Sequence, residues 1–362
     1  MEYRMLGRSG LRVSALGVGT NSFGLKLDQA DAKAVVDTAI DEGVTLFDVA
    51  DHYGEGRAEE YLGAAIGSRR QDVTIATKFG WGMDGVSEPA KGSRRYILWA
   101  VENSLRRLGT DYIDLYQYHR PDGITPIEET LDALDDLVRR GLVRYVGCSN
   151  FRGWQLVDAD ATARARSDTP FISAQNPWSL MDRRIETELV PAAAHTSIGI
   201  LPYSPLASGM LTGKYRPNDY PAGSRLDRYR RSREDPSVLL STDRHWPMRA
   251  WQFEKLLARD DNWALIAELR DYAEQRGHQL TELAFGWLNA SQGVTSVLAG
   301  GTTPDQIRAN AAASAAWTLT PEEKSDVDAI TAQRTSEAAV RTPNVPPATP
   351  RTGGDAAQET TR

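Results

Sequence analysis

The sequence predicts an α/β fold: a (β/α)8 TIM barrel with an N-terminal β-hairpin and extended loops at its catalytic face. Three observations support this prediction. Short apolar runs alternate with segments of helical periodicity, as in parallel β/α folds. Eight such strand–helix units follow one another between residues 15 and 313, which favours a closed barrel. No Gly-x-Gly-x-x-Gly turn follows the first strand, which disfavours the alternative of a doubly wound sheet with an appended domain.

The first unit follows a predicted hairpin over residues 3–17, where apolar and polar residues alternate around glycines. Residues 16–20 then form the end of the first barrel strand. Asp28 is a suitable N-cap for a helix over residues 30–42, and Gly43 is suited to end that helix.

The remaining units repeat this order. Their predicted strands are 44–48, 72–78, 113–119, 143–148, 171–175, 199–203 and 295–299. Their predicted helices are 57–67, 93–108, 126–140, 152–165, 182–195, the pair 262–276 and 280–291, and 304–313. A long insertion between Tyr215 and Asn262 is suited to form a lid or a pocket wall. Its aromatic residues are Tyr220, Tyr229, Trp246, Trp251 and Phe253. Trp81 and Trp178 are placed to line the same pocket, and the alternative for each of these aromatics is to pack in the core of its loop.

One barrel domain is predicted over residues 1–335. Residues 336–362 are rich in proline and threonine, lack periodicity and are predicted to be disordered. The formal net charge of −7 argues against a nucleic-acid or anionic-membrane partner. The start is unlike a secretory signal, no apolar run reaches ~20 residues, and a lone cysteine, Cys148, excludes an internal disulfide. A cytoplasmic location is therefore expected, and the spacing of the five histidines predicts no metal site.

The carboxyl ends of successive predicted strands carry a chemically coherent set of side chains. Asp48, Lys78 and His119 lie at three such ends, and Tyr53 lies on the loop after the first of them. Each alone has an ordinary interpretation, such as a helix cap or a solvated lysine. Together they are chemically complementary, because a lysine ammonium at ~4 Å would stabilise the phenolate of a tyrosine by up to ~4 kcal/mol. Asp48 would hold that lysine, so Tyr53 could act as a general acid, and His119 could orient a carbonyl.

Several sequence blocks resemble, in order, the signatures of the aldo-keto reductase superfamily. The resemblance spans about residues 3–330 and is strongest to the branch of bacterial oxidoreductases and potassium-channel β subunits. The blocks are Phe47-Asp-Val-Ala-Asp-His-Tyr-Gly-Glu-Gly56, Ala76-Thr-Lys-Phe79, Asp114-Leu-Tyr-Gln-Tyr-His119, Gly141-Leu-Val-Arg-Tyr-Val-Gly-Cys-Ser-Asn-Phe151 and Tyr203-Ser-Pro-Leu-Ala-Ser-Gly-Met-Leu-Thr-Gly-Lys-Tyr215. The resemblance implies Asp48, Tyr53, Lys78 and His119 as a catalytic tetrad that acts with a nicotinamide cofactor.

The resemblance also implies the residues that bind this cofactor. Ser149, Asn150 and Gln175 would bind the carboxamide, and Tyr203 would stack on the nicotinamide ring. Residues 204–209 with Lys214 would cross the pyrophosphate, and Gly301, Gln306 and Asn310 would contact the adenine side. The expected set is Gly19, Thr20, Asp48, Ser149, Asn150, Gln175, Tyr203, Ser204, Pro205, Leu206, Ser208, Gly209, Lys214, Arg225, Gly301, Gln306 and Asn310.

The last loop departs from many relatives, because Thr302 and Thr303 stand where a basic residue would pair the 2′-phosphate. Arg225 resembles an arginine that some relatives use at the adenosine end, so NADP is expected, with NAD possible. The function expected is reduction of a small-molecule aldehyde or ketone. The alternatives are a regulatory, redox-sensing subunit with weak turnover, and a sugar-oxidising member of the same family. The oligomeric state stays open.

Overall fold

Eight parallel strands close into a barrel whose first and last strands pair with each other. The structure is a computed structural model and describes residues 1–82, 88–217, 219–235 and 260–332. The order of pairing around the barrel is β10-β3-β4-β5-β6-β7-β8-β9, and β10 pairs with both β9 and β3. The barrel strands are β3 (Leu16–Gly19), β4 (Leu46–Asp48), β5 (Thr74–Phe79), β6 (Ile113–Tyr118), β7 (Val143–Ser149), β8 (Ser173–Pro177), β9 (Gly199–Tyr203) and β10 (Val297–Gly300). The predicted (β/α)8 barrel is confirmed.

The predicted N-terminal hairpin is also present and packs against the bottom of the barrel. Its strands β1 (Tyr3–Met5) and β2 (Arg12–Ser14) pair antiparallel. Leu6 and Val13 are fully buried in one cluster with interior residues from the amino-terminal half of the barrel. The members from the barrel and the residues just before its strands are Leu46, Ala76, Leu115, Ile172, Leu201 and Leu298. The hairpin therefore seals the end of the barrel opposite the predicted site.

Helices surround the strands. They are α1 (Gln29–Asp41), α2 (Arg57–Ile66), α3 (Arg94–Leu108), α4 (Ile127–Arg139), α5 (Gly153–Arg166), α6 (Leu189–Thr196), α7 (Arg225–Glu234), α8 (Asp260–Glu274), α9 (Leu280–Asn289), α10 (Pro304–Ala316) and α11 (Pro321–Ile330). Asp28 caps α1 as predicted, with its Oδ1 accepting from the N–H of Asp31 at 2.9 Å. Gly43 follows that helix at φ +79°, the left-handed conformation that glycine tolerates.

One predicted helix is shorter than expected. The segment 182–195 contains a 3-10 turn, Arg184–Thr187, and α6 begins only at Leu189. Pro191 explains the break, because proline lacks an N–H and its ring clashes with the carbonyl four residues earlier. Pro191 is tolerated in the first turn of α6, but it excludes a helix that runs unbroken from residue 182. Helix α11 is a second difference, since the sequence prediction named no helix after residue 313.

Two predicted features fall on residues that the structure does not describe. The tail over 336–362 lies outside the described residues, as do Trp246, Trp251 and Phe253 of the insertion. The described start of the insertion forms α7, in which Tyr229 is buried. In the described residues, no helix is long and apolar enough to cross a membrane.

Candidate active site

The four predicted catalytic residues converge at the carboxyl end of three neighbouring strands. Asp48 ends β4, Lys78 lies near the end of β5, and His119 directly follows β6. Tyr53 begins a 3-10 turn, Tyr53–Gly56, on the loop between β4 and α2. Because β4, β5 and β6 are adjacent in the barrel, the strand pairing itself brings these side chains together.

A buried ion pair forms the floor of this site. The Nζ atom of Lys78 donates to both carboxylate oxygens of Asp48 at 2.7 Å and to the carbonyl of Val49 at 2.9 Å. Lys78 is fully buried and Asp48 is 5% exposed. Burial lowers the pKa of Lys78, and the Asp48 carboxylate opposes that shift. With three acceptors around it, the ammonium is held in one position.

Tyr53 and His119 flank this ammonium. Nζ of Lys78 lies 5.3 Å from the centre of the Tyr53 ring, and the Tyr53 and His119 rings are 6.1 Å apart, edge to face. The His119 backbone N–H donates to the carbonyl of Phe79 at 2.8 Å, which ties the residue to β5. The phenol and the imidazole therefore face a common space beside a fixed positive charge.

A second histidine and a tryptophan border the same space. The His52 ring stacks on Trp81 at 5.5 Å and lies 4.9 Å from the His119 ring. Beneath it, the fully buried Asp51 carboxylate places Oδ1 3.5 Å from Nδ1 of His52. Sequence reasoning missed Asp51 and His52, although the block that contains Tyr53 also contains them. Trp81 lines the site as predicted.

The residues expected to bind a carboxamide form one hydrogen-bonded network. Nε2 of Gln175 donates to Oδ1 of Asp48 at 2.7 Å, and Oγ of Ser149 donates to the Gln175 carbonyl at 2.8 Å. Nδ2 of Asn150 donates to the His119 carbonyl and to Oγ of Ser149, each at 3.0 Å. This network joins β7 and β8 to the ion pair on β4 and β5.

Tyr203 extends the network to the next strand. Its hydroxyl donates to Oδ1 of Asn150 at 2.8 Å, and burial together with the neighbouring Tyr53 raises its pKa. The ring is half-buried at the end of β9. Gln117, which sequence reasoning did not select, is fully buried and places its Nε2 3.5 Å from Oδ1 of Asp48.

The loop after β9 has an unusual backbone. Ser204, Ala207 and Ser208 adopt positive φ values of +57°, +44° and +60°, and Gly209 follows at +98°. A right-handed residue followed by a left-handed one, as at Leu206 (φ −97°) and Ala207, can turn neighbouring backbone N–H groups to one side and form an anion-binding concavity. The N–H groups of Ala207 and Gly209 donate within the loop, to the carbonyls of Ser204 and Leu206. Within this stretch Pro205 is buried and Leu206 is half-buried. The Nζ atom of the exposed Lys214 lies 5.0 Å from the centre of the Tyr215 ring.

The last loop and helix hold the adenine-side candidates. An added Cβ at Gly301 would lie 2.7 Å from Cδ1 of Ile307, so a side chain there would require the end of Ile307 to shift. Gln306 accepts from the N–H of Thr302 at 2.9 Å, and Nδ2 of Asn310 donates to the Gly300 carbonyl at 3.4 Å.

The first strand contributes two further candidates. Gly19 has open space around the position of a Cβ, and Thr20 uses both its N–H and its hydroxyl to hold the carbonyl of Asp48. Arg225 begins α7, and its side chain lies outside the described residues.

A family model described as the aldo/keto reductase family matches residues 15–332. The chain belongs to the aldo/keto reductase family. Two plant relatives, each named a probable voltage-gated potassium channel subunit beta, are 36% identical to it. The relative from Oryza sativa subsp. japonica covers 91% of this chain and 96% of its own length, and the one from Arabidopsis thaliana covers 86% and 90%. An uncharacterized oxidoreductase, YrpG, of Bacillus subtilis (strain 168) is also 36% identical, over 85% of this chain and 89% of its own.

Membership of the aldo/keto reductase family supports NAD(P)H-dependent oxidoreduction as the general chemistry of this chain. The residues fit such a cofactor. Amide and hydroxyl groups around Ser149 and Gln175 suit a neutral carboxamide, and the left-handed loop after β9 suits a pyrophosphate.

Proposed function

We propose that this aldo/keto reductase reduces an aldehyde or ketone to an alcohol with NADPH. The observation that carries the proposal is the ammonium of Lys78, held by Asp48 beside Tyr53 while His119 borders the same space. Carbonyl reduction needs three groups at the carbonyl oxygen. They are a proton donor, a positive charge that stabilises its conjugate base, and a second hydrogen-bond donor, here an imidazole.

Each side chain has a distinct part in this proposal. The cofactor supplies the hydride that the carbonyl carbon accepts. Tyr53 gives its phenolic proton to the carbonyl oxygen, and Lys78 stabilises the phenolate that remains. His119 donates a hydrogen bond that orients the carbonyl, and Asp48 keeps Lys78 in place. The buried floor excludes water from this proton transfer.

The cofactor contacts are part of the same proposal. Ser149, Asn150 and Gln175 would hold the carboxamide, and Tyr203 would stack on the nicotinamide ring. The loop from Ser204 to Gly209, with Lys214, would bind the pyrophosphate through its backbone N–H groups. Gly301, Gln306 and Asn310 would contact the adenine side, and Gly19 and Thr20 complete the set. Arg225 is the residue that we propose for the 2′-phosphate.

Replacement of the proton donor tests the mechanism. Tyr53→Phe is expected to lower carbonyl reduction by about 10²- to 10⁴-fold while nucleotide affinity stays near wild type, because only the proton is removed. NADPH consumption against a panel of aldehydes and ketones measures turnover, and fluorescence titration measures nucleotide binding.

Tyr61→Phe is the matched control, since Tyr61 is a half-buried tyrosine of α2 that packs against the main core. It should leave reduction unchanged. Wild-type rates in Tyr53→Phe would show that the proton comes from another group.

A regulatory, redox-sensing subunit is the second candidate function. Two relatives named as probable potassium channel β subunits support it, because they match this chain along most of its length. The same panel separates the candidates. Tight nucleotide binding with very slow hydride transfer on every carbonyl, together with stable assembly with a partner protein, would favour the regulatory function.

A further inference from the structure

An arginine stands beside the proposed catalytic histidine without a carboxylate partner in the described chain. Arg120 follows His119 directly, is exposed, and places its guanidinium carbon 5.0 Å from the centre of the Trp81 ring. The Trp81 ring in turn lies 4.9 Å from the His119 ring. A guanidinium over an aromatic face keeps the N–H donors that lie in its own plane free to bind a ligand at its edge.

The nearest acidic residue in sequence, Asp122, directs its oxygens to other donors and makes no ion pair with Arg120 among the described residues. Oδ1 of Asp122 accepts from the N–H groups of Ile124 and Thr125, each at 2.8 Å. Its Oδ2 accepts from the N–H of Gly92 and from the hydroxyl of Thr125, each at 2.7 Å. In the described part of the chain, Arg120 forms no ion pair.

The other charged groups of the floor give no net positive charge, since the buried Asp51 beneath His52 is a second carboxylate beside the Lys78–Asp48 pair. Lys78 is neutralised by Asp48 within the floor, so this pair offers no net charge to a substrate. Arg120 thus adds a positive charge at the edge of the space bordered by Tyr53, His119 and Trp81. A protein of net charge −7 otherwise repels anions, so this local charge matters for an anionic substrate.

We propose that Arg120, stacked on Trp81, binds a carboxylate group of the substrate, so that the preferred substrates are carboxylate-bearing aldehydes or ketones. The planar fork of a guanidinium matches the two oxygens of a carboxylate. One guanidinium balances one negative charge, which favours a carboxylate over a phosphate dianion. The proposal rests on the proposed carbonyl reduction and names its substrate class.

Matched substrate pairs test this inference. 3- and 4-Formylbenzoate are compared with 3- and 4-formylbenzamide, which keep the shape and the aldehyde but lose the charge. The wild-type enzyme should prefer each acid over its amide in kcat/KM. Arg120→Met should lower that acid-to-amide ratio by about 10- to 100-fold, as expected for loss of a charge-assisted hydrogen-bonded pair. Arg120→Lys, which keeps the charge without the planar fork, should give an intermediate ratio.

Arg144→Met is the matched control. Arg144 is also exposed and stacked on an aromatic ring, 4.8 Å above Tyr112, but it lies near the start of β7, away from the carboxyl end of the barrel. It removes the same charge and should leave the ratio unchanged. An unchanged ratio in Arg120→Met, or an equal fall in both variants, would overturn the proposal.

A binding measurement separates this proposal from the proposed function. If no aldehyde is reduced, calorimetry of the NADP-loaded protein with 4-(hydroxymethyl)benzoate and 4-(hydroxymethyl)benzamide still reports on Arg120. Tighter binding of the acid that disappears in Arg120→Met, but not in Arg144→Met, would support a carboxylate site in a protein that lacks turnover. Equal binding of acid and amide to the wild type would reject the site.

Discussion

At the scale of single residues, the buried pair of Lys78 and Asp48 links stability to chemistry. Lys78 is fully buried and Asp48 is only 5% exposed, so water can replace little of either partner. Breaking a buried pair leaves an uncompensated charge, which is strongly destabilising, whereas replacing both members is tolerated far better. Any test of Lys78 in catalysis must therefore separate a loss of activity from a loss of folding.

Lys78→Met should lower the free energy of unfolding by about 3–5 kcal/mol and abolish carbonyl reduction. The double variant Lys78→Met with Asp48→Asn should recover most of the stability, because no charge stays buried, but none of the activity. Urea denaturation and NADPH consumption measure the two effects. Recovery of activity along with stability in the double variant would contradict a chemical role for the ammonium.

The sequence was sufficient to predict where Asp48, Tyr53, Lys78 and His119 lie, because strand ends in a barrel meet at one face. It did not reveal Asp51 or Gln117, which are buried polar residues whose roles depend on side-chain contacts between strands. Arg120 was also missed, since a surface arginine becomes informative only when the aromatic ring beside it is known, together with the absence of an ion pair to the described residues.

At the scale of elements, the loop after β9 stores backbone strain where the pyrophosphate is proposed to bind. A non-glycine residue at positive φ costs about 1 kcal/mol or more. This loop has three such residues, Ser204, Ala207 and Ser208, within five positions. Strain of this kind is retained at ligand sites because it presents backbone N–H groups in advance of binding.

Ser208→Gly should relieve part of this strain and raise the free energy of unfolding by about 0.5–1 kcal/mol. The more flexible loop should bind NADPH roughly two- to tenfold more weakly, because the entropy cost of ordering the loop is then paid on binding. Thermal unfolding and nucleotide titration measure the two quantities.

Ser197→Gly is the control for this prediction. Ser197 caps α6 at φ +57°, so the change should give a similar stabilisation while leaving nucleotide affinity unchanged. If Ser208→Gly also left nucleotide affinity unchanged, the loop would not be the proposed pyrophosphate site.

Hydrophobic periodicity predicted the order and type of the helices and strands. Most predicted boundaries agree with the observed ones within a few residues. The exception is the segment 182–195. There the periodicity indicated a buried helical face, but it carried no information on the break that Pro191 imposes. Helix α11 was also missed, although Thr320 caps it with a capping box and Pro321 opens it. Its single fully buried position, Val327, gives little periodic signal.

At the scale of the whole molecule, the N-terminal hairpin completes the barrel core. Leu6 and Val13 close the hydrophobic cluster that fills the amino-terminal end of the barrel. Gly7 lets the chain approach closely enough, because a Cβ there would lie 2.4 Å from the Ile172 carbonyl oxygen. The hairpin therefore contributes to stability and stays far from the chemistry.

Leu6→Ala should lower the free energy of unfolding by about 2–5 kcal/mol through the cavity it leaves. The KM for NADPH should stay unchanged at a temperature where the variant is folded, because the site lies at the opposite end. Met5→Ala on the same hairpin is the control, since Met5 is 58% exposed and should have little effect. A raised KM in Leu6→Ala alone would show that the hairpin also shapes the site.

The pairing of β10 with β3 has a consequence for synthesis on the ribosome. Val297 pairs with Leu16, so the barrel cannot close until almost the whole domain has been made. Between the completion of β9 at Tyr203 and the start of β10, a ribosome working at 5–20 residues per second needs roughly 5–20 s. During that interval the nascent sheet has two open edges, β3 and β9, that other chains could join. Nascent chains of this protein should therefore depend on chaperones until the last strand emerges.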